Sequence, residues 1–459
     1  MRVLLVNLPW IKDNRYGVRA GSRWPFTLRM GGKGQREYLP FPFFLAYATS
    51  FLKENKKEAM LIDAVAERMA EDVFIERVKQ YAPGLLVVET STPSFNNDIK
   101  IVQKLIQEVN KMKVAFCGPH ASVFPSQILK EHRFIDYILI GEYENTLCEL
   151  IECLEEGSSL DNVLGIGHKT EATVKINQLR PTIKNLDALP WPERETVPLY
   201  NYNDGFCNLP QPNVQVLASR GCPYQCIFCL WPQSMYGEHL YRKRNSGNVV
   251  DEIEWLLRRY DFKAIYFDDD TFNIDRNYVI EICNQLISRG ITIPWAVMAR
   301  PDLMDEELLG IMASSGLYAV KYGIESGNQQ IVHNSKKNID LNKAKQTIAS
   351  TKRRGIKVHL TFCLGLPGET KASIQESLRF LGAVNPDSFQ FSLATPFPGT
   401  ELFNHLQAAG HLVSRQWYDY DANYRAVART DSLSAEDLER ELQRVRNVLK
   451  GYEQANIAK

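Results

Sequence analysis

Two successive runs of short apolar strands alternating with amphipathic helices constrain this 459-residue chain more than any other feature. In the first run Arg2–Asn7, Ala59–Ile62, Leu85–Glu89, Val114–Cys117 and Tyr137–Ile140 read as buried strands. Helices are expected at Phe43–Leu52, from about Glu71, and at Asp98–Val109, where Ile99, Val102, Leu105, Ile106 and Val109 recur at helical spacing. Strands apolar on both faces and separated by helices predict a parallel, doubly wound α/β sheet, which binds ligands at the carboxyl ends of its strands. The second run predicts strands at Val214–Ala218, Ala264–Phe267, Trp295–Met298, Ala319–Ile324, Val358–Leu364 and Phe389–Leu393, with helices such as Val249–Arg259 and Arg276–Ser288 between them. Six β/α units predict a partial TIM-like barrel, again with its active site at the carboxyl ends of the strands.

Between the runs, Pro181, Pro190, Pro192, Pro198, Pro210 and Pro212 predict a linker. Its aromatics Trp191, Tyr200, Tyr202 and Phe206 predict that it packs on a surface. The expected organisation is a Rossmann-like domain over 1–155, a linker over 156–213, a barrel over 214–410 and a helical extension over 411–459. In that extension Ser434 and Asp437 form a capping pattern ahead of Leu438, Leu442, Val445 and Leu449 on one face.

Lysine plus arginine balances aspartate plus glutamate at 54 each, which argues against a protein held on nucleic acid by phosphate contacts. No apolar run approaches the roughly 20 residues of a membrane span, and MRVLLVNLPW lacks the features of a signal peptide. A cytoplasmic chain is the expectation.

Of nine cysteines, six are scattered and read as small buried apolar residues. Cys222-Pro-Tyr-Gln-Cys226-Ile-Phe-Cys229 is different, because it follows the first barrel strand directly. Its C-x3-C-x2-C spacing supplies three of the four ligands of a [4Fe–4S] cluster and leaves one iron open to a small molecule. A zinc site completed by His239 is the alternative, as is a non-catalytic zinc or iron–sulfur module docking a partner through its C-terminal helix. The long segment from Pro9 to about Tyr38 is basic and aromatic and leaves the carboxyl end of a strand. Arg15, Arg19 and Arg23 are expected to clamp an anionic group of the substrate, with a solvated face as the alternative.

The cysteine loop resembles that of the radical S-adenosylmethionine (SAM) enzymes, with Phe228 in the aromatic place of their C-x3-C-x-aromatic-C pattern. The resemblance covers about residues 210–410. It implies that Cys222, Cys226 and Cys229 hold a cluster, that SAM binds the open iron, and that a flavodoxin- or ferredoxin-like donor supplies the electron. It further implies SAM contacts from Asp269 in Asp268–Phe272, from Arg300, from Glu325 and Ser326 in Tyr322–Gly327, and from Gly365 in the G-x-P-G-E turn Gly365–Glu369. A helix cap for Asp270 and a surface position for Arg300 are the other readings.

The strand ends of the first run resemble the loops of the cobalamin-binding branch of that family: Ser91-Thr92-Pro93-Ser94, Gly118-Pro119-His120-Ala121 and Gly141-Glu142-Tyr143-Glu144, with Cys117 in place of a glycine. The resemblance implies cobalamin contacts from Ser91, Thr92, Ser94, Gly118, His120, Gly141 and Glu142. Asp63–Arg68 departs from the D-x-H-x-x-G motif and lacks its histidine, so no histidine below the cobalt is expected. A domain that has lost its cofactor and braces the barrel is the alternative. The activity implied is C-methyl transfer to an unactivated carbon of a small-molecule, lipid or natural-product substrate. Cyclisation of the anaerobic porphyrin-ester type is the alternative.

Overall fold

Seven strands form the first sheet of the computed structural model, which describes residues 1–12, 15–17, 38–109, 111–170 and 173–457, the side chains of 449–457 excepted. They are β1 (Val3–Asn7), β2 (Ala59–Asp63), β3 (Leu85–Glu89), β4 (Lys113–Cys117), β5 (Tyr137–Leu139), β6 (Ile166–Lys169) and β7 (Val174–Ile176). Their order is β2-β1-β3-β4-β5-β6-β7. The first five run parallel, as the unbroken apolar runs require, and every residue of β1 and β3 is buried. Strands β6 and β7 run antiparallel at the edge, inside the stretch expected as linker. Ile-Gly-His-Lys and Val-Lys-Ile are too short and too polar to signal strands by pattern. Strand order reverses around β1, which opens a crevice beside the ends of β1 and β3.

The chain divides into two compact units, Met1–Asn203 with Leu230–Arg244, and Asp204–Cys229 with Asn245–Lys459. The first unit therefore includes a piece far away in sequence. That piece stacks Trp231 on Phe44, with ring centroids 5.3 Å apart, and lays Arg242 over Tyr236.

In the second unit, β8 (Asn213–Val216), β9 (Ala264–Phe267), β10 (Trp295–Ala299), β11 (Leu317–Glu325), β12 (Lys357–Leu364) and β13 (Ser388–Leu393) form one parallel sheet in sequence order. Ala264, Ala296 and Ala319, small residues at or near three strand starts, pack with Phe206, which fills the space their side chains leave. Several helices begin on side-chain caps. Asp275, Asp305, Asn328 and Asp340 accept from first-turn amides, and Thr370 and Ser373 form a reciprocal box. Ser434 and Asp437 exchange hydrogen bonds as expected, and the helix Ala435–Ile457 buries Leu438, Leu442 and Val445. No described helix is long and apolar enough to cross a membrane.

Candidate active site

The loop after β8 is held at its backbone. Gly221, at φ +88°, donates its N–H to Asp270 at 2.9 Å. Ile227 donates its N–H to the Ser335 carbonyl at 3.1 Å and accepts from Leu402 N–H at 3.0 Å. Its side chain is buried among Ile331, Leu366, Leu402 and Leu406, with half-buried Phe228 packed against that cluster. The middle of Cys222–Cys229 is therefore pinned by two other elements, and the cysteines on either side of Ile227 and Phe228 inherit fixed positions.

Cys222 and Cys226 are buried and Cys229 is half-buried. Burial raises each pKa. Cys222 and Cys226 each raise Cys229 further, and Cys222 raises Cys226. The thiols therefore lie near enough to one another to interact. Among the described residues no three His, Cys, Asp or Glu side chains are arranged to hold a single metal ion. Thiolates on one ion sit about 2.3 Å from it, whereas a cube gives each sulfur its own iron. The donor set, three thiols on one pinned loop, fits an iron–sulfur cluster.

Around this loop lie Arg300 and Glu325, two of the barrel residues expected to bind SAM. Arg300, 3% exposed, stacks its guanidinium 3.6 Å over Tyr224 of the loop. It also donates to both oxygens of Asp302 and, at 3.0 Å, to the Lys337 carbonyl. It is not a surface arginine. Glu325 ends β11 at a shift in pairing with β12, takes φ +69°, and pairs with Lys337 at 3.1 Å. No motif in the sequence singled out Lys337.

Other expected residues turn their polar atoms into the scaffold. Asp269 is buried, accepts from Ala218 N–H and Ser219 Oγ, and is raised by burial to about 7 despite those bonds. Ser326 Oγ accepts from Asn328 N–H and lies 3.4 Å from Ser377 Oγ. Gly365, at φ +95°, donates to Glu369, whose carboxyl burial lifts to about 7 while Ser373 donates to its other oxygen.

In the first unit the expected hydroxyls line the end of β3. Thr90 and Ser94 both donate to Asp98, at 2.8 and 2.7 Å, and Ser91 Oγ lies 3.1 Å from Ser94 Oγ. Thr92 Oγ1 is 3.1 Å from Nδ1 of His120. His120 is buried between Phe95 and Phe124, and burial alone lowers it to about 3, so it is neutral. Gly118 has φ +93°, and a Cβ there would fall 2.5 Å from the Thr90 carbonyl. Gly141, at φ +72°, leaves room for the Met235 carbonyl, 2.9 Å from where its Cβ would be. Glu142 accepts from Ile183 N–H and from Arg242 at 2.6 Å, in a pair with both side chains under 10% exposed. Asp63 accepts from Val65 N–H, Ala66 N–H and the Tyr202 hydroxyl, closing the turn where a cobalt-ligating histidine would otherwise follow. Arg15 pairs with Lys12 in a short hairpin. Arg19 and Arg23 lie outside the described residues.

Known protein families match the chain in both units. Residues 216–381 match the radical SAM superfamily model and residues 34–151 the B12-binding domain model. The uncharacterized methyltransferase PH0819 of Pyrococcus horikoshii is 30% identical over 381 residues, covering 83% of this chain and 81% of its own. The anaerobic magnesium-protoporphyrin IX monomethyl ester cyclase of Rubrivivax gelatinosus is 28% identical over 384 residues, covering 80% of this chain and 66% of its own. Among solved structures, the radical SAM methyltransferase TsrM of Kitasatospora setae, with cobalamin and a [4Fe–4S] cluster bound, superposes with a TM-score of 0.73 at 18% identity, covering 96% of this chain and 90% of that one.

Proposed function

The chain belongs to the cobalamin-binding radical SAM enzymes, and from that premise we propose that it transfers a methyl group to an unactivated carbon, with Cys222, Cys226 and Cys229 holding the cluster. The observation that carries this reading is the pinned three-thiol loop at the carboxyl end of the first barrel strand. When bound, the reduced cluster with SAM supplies a carbon-centred radical, and methylcobalamin supplies the methyl group.

The chain's own residues bind, orient and exclude. Tyr224 and Arg300 form a stacked wall beside the loop, and the Arg300 guanidinium places positive charge where a SAM carboxylate docks. Glu325, held off the regular strand path, offers a carboxylate to the amino or ribose end. Asp269, Ser326 and Glu369 act one step back, fixing the turns at Ala218, Asn328 and Gly365 that set the walls of the pocket. In the first unit, Gly118 and Gly141 let backbone approach closely, and Ser91, Thr92 and neutral His120 receive the nucleotide tail of cobalamin. The substrate is a small molecule or lipid, Arg15, Arg19 and Arg23 are candidates for its anionic group, and the electron comes from a flavodoxin- or ferredoxin-like protein of the cytoplasm.

Anaerobic reconstitution with iron, sulfide and hydroxocobalamin tests this reading. The expected result is about four irons and one cobalamin per chain, with 5′-deoxyadenosine formed from SAM on reduction. A chain that holds one zinc and leaves SAM intact would refute it. The likeness to the Rubrivivax cyclase supports a second reading, radical cyclisation. It is separated from the first by whether label from methyl-labelled SAM enters the product.

A further inference from the structure

The two faces of β12 and β13 are built differently. On one face Phe362 and Phe391 stack with ring centroids 4.6 Å apart, and Phe362 meets Phe380 of the helix Lys371–Val384. Side chains alternate along a strand, so His359, Thr361, Ser388 and Gln390 take the other face. Parallel register sets His359 beside Ser388 and Thr361 beside Gln390. The His359 ring lies 5.6 Å from Phe206, which also packs with Ala264, Ala296 and Ala319 of three other strands. A ring met by four strands is enclosed by their sheet, so this is the inner face. Barrels filled by packing alone carry branched apolar side chains there. These four positions carry none.

The protein does not use up the polar atoms of this wall. Thr361 and Gln390 are half-buried, and neither side chain hydrogen-bonds to a described residue. Toward the strand starts, His359 is 6% exposed and its Nδ1 lies 2.8 Å from Ser388 Oγ, while its Nε2 is buried with no partner among the described residues. Burial and the nearby Lys321 ammonium keep this imidazole neutral. Charges on the same face are already matched. Lys321, beside His359 on β11, pairs with Asp204 at 2.9 Å. The Glu325–Lys337 pair lies against Gly323, the β11 neighbour of Thr361. Between the two ion pairs the wall offers donors and acceptors but no spare charge among the described residues.

We propose that Thr361 and Gln390 form a substrate subsite for an uncharged group that both donates and accepts hydrogen bonds, an amide or a hydroxyl. The inference names the class of group the barrel receives, and for the reaction itself it rests on the function proposed above. Gln390 carries a donor and an acceptor side by side, and the Thr361 hydroxyl serves as either. A hydrocarbon laid here would strip these groups of water and leave them unpaired, which a site built for hydrogen bonding rejects strongly. A carboxylate or phosphate would shed its hydration with no free cation on this wall to meet it. Any anionic end of the substrate is therefore held elsewhere.

The test uses the full reconstituted chain with SAM and no reductant, so that nothing turns over, and probes that share one ring: para-fluorobenzamide, para-fluorobenzyl alcohol, para-fluorobenzoate and para-fluorotoluene. Their dissociation constants are read by fluorine NMR titration. The amide and the alcohol should bind about tenfold tighter than the carboxylate and the hydrocarbon, the size expected of one or two hydrogen bonds. Gln390→Leu should remove most of that preference. Thr361→Val, which keeps the side-chain shape, should lower it by a smaller factor and serves alone if Gln390→Leu does not fold. Binding of para-fluorotoluene or para-fluorobenzoate as tight as that of the amide and the alcohol overturns the proposal, and so does a preference that survives both substitutions. A chain that assembles no cluster yet keeps the preference overturns the radical reading and supports this subsite. A chain that cleaves SAM but shows no preference does the reverse.

Discussion

At the strand ends of the first sheet, hydroxyls and glycines are prominent: Thr90, Ser91, Ser94 and Asp98 form one network, Gly118 and Gly141 admit backbone, and the buried histidine is neutral, beside one buried ion pair, Glu142 with Arg242. At the strand ends of the barrel, charges dominate. Arg300 with Asp302 and Glu325 with Lys337 are paired ions, while Asp269 and Glu369 are buried carboxyls lifted to about 7. The difference suits the ligand proposed for each end. A bulky cofactor gripped over a wide area needs space and neutral hydrogen-bonding groups. A small zwitterionic ligand on a charged cluster needs fixed charges of both signs.

The largest expected effect separates the two ends outright. Cys226→Ala should abolish cluster assembly and SAM cleavage, read by iron content and 5′-deoxyadenosine, while cobalamin binding by the first unit persists. The converse break is Glu142→Ala. It strands the Arg242 guanidinium, buried opposite it, and should destabilise the first unit by about 3–5 kcal/mol in denaturant unfolding. Cluster content should stay near the parent value. Gly118→Ala is smaller, about 1–3 kcal/mol, because its added carbon meets the Thr90 carbonyl and its backbone must hold a positive φ. Cobalamin affinity should fall with it, measured by the visible spectrum of the bound corrinoid.

The smallest effect sharpens the contrast through pH. A carboxyl with a higher pKa folded than unfolded contributes stability that is whole below about pH 4 and lost as pH rises through 7, as for Asp269 and Glu369. A histidine with a lower pKa folded than unfolded contributes stability that is whole above about pH 6.5 and lost as pH falls towards 3, as for His120. Hydrogen exchange of β12 should therefore quicken, relative to β3, as pH is raised from 4 to 7 after correction for intrinsic rates. Glu369→Gln should reduce the trend in β12.

Strands such as Leu85–Glu89 were legible because burial on both faces leaves an unbroken apolar run, and the cysteine spacing was legible because cluster ligation tolerates few alternatives. Strands β6 and β7 were not, since an antiparallel edge needs only three or four residues and tolerates His168 and Lys175. Arg300 and Glu325 were found through motif, but their pairing with the Lys337 turn depends on φ values that composition does not encode. The roles of Asp269 and Glu142 were hidden for a related reason. A carboxylate at a strand end looks the same in sequence whether it faces a ligand or ties down Ala218 or Arg242.

The return of Leu230–Arg244 to the first unit governs how this molecule can be dissected. A fragment ending at Asn203 would leave Glu142 without its guanidinium and Phe44 without the indole that covers it. A barrel fragment begun at Asp204 would carry fifteen residues with their apolar faces bare. Domain swaps, split-protein reporters and truncation libraries drawn at the proline-rich boundary should thus yield insoluble halves, whereas grafting 230–244 onto the first half restores its missing wall.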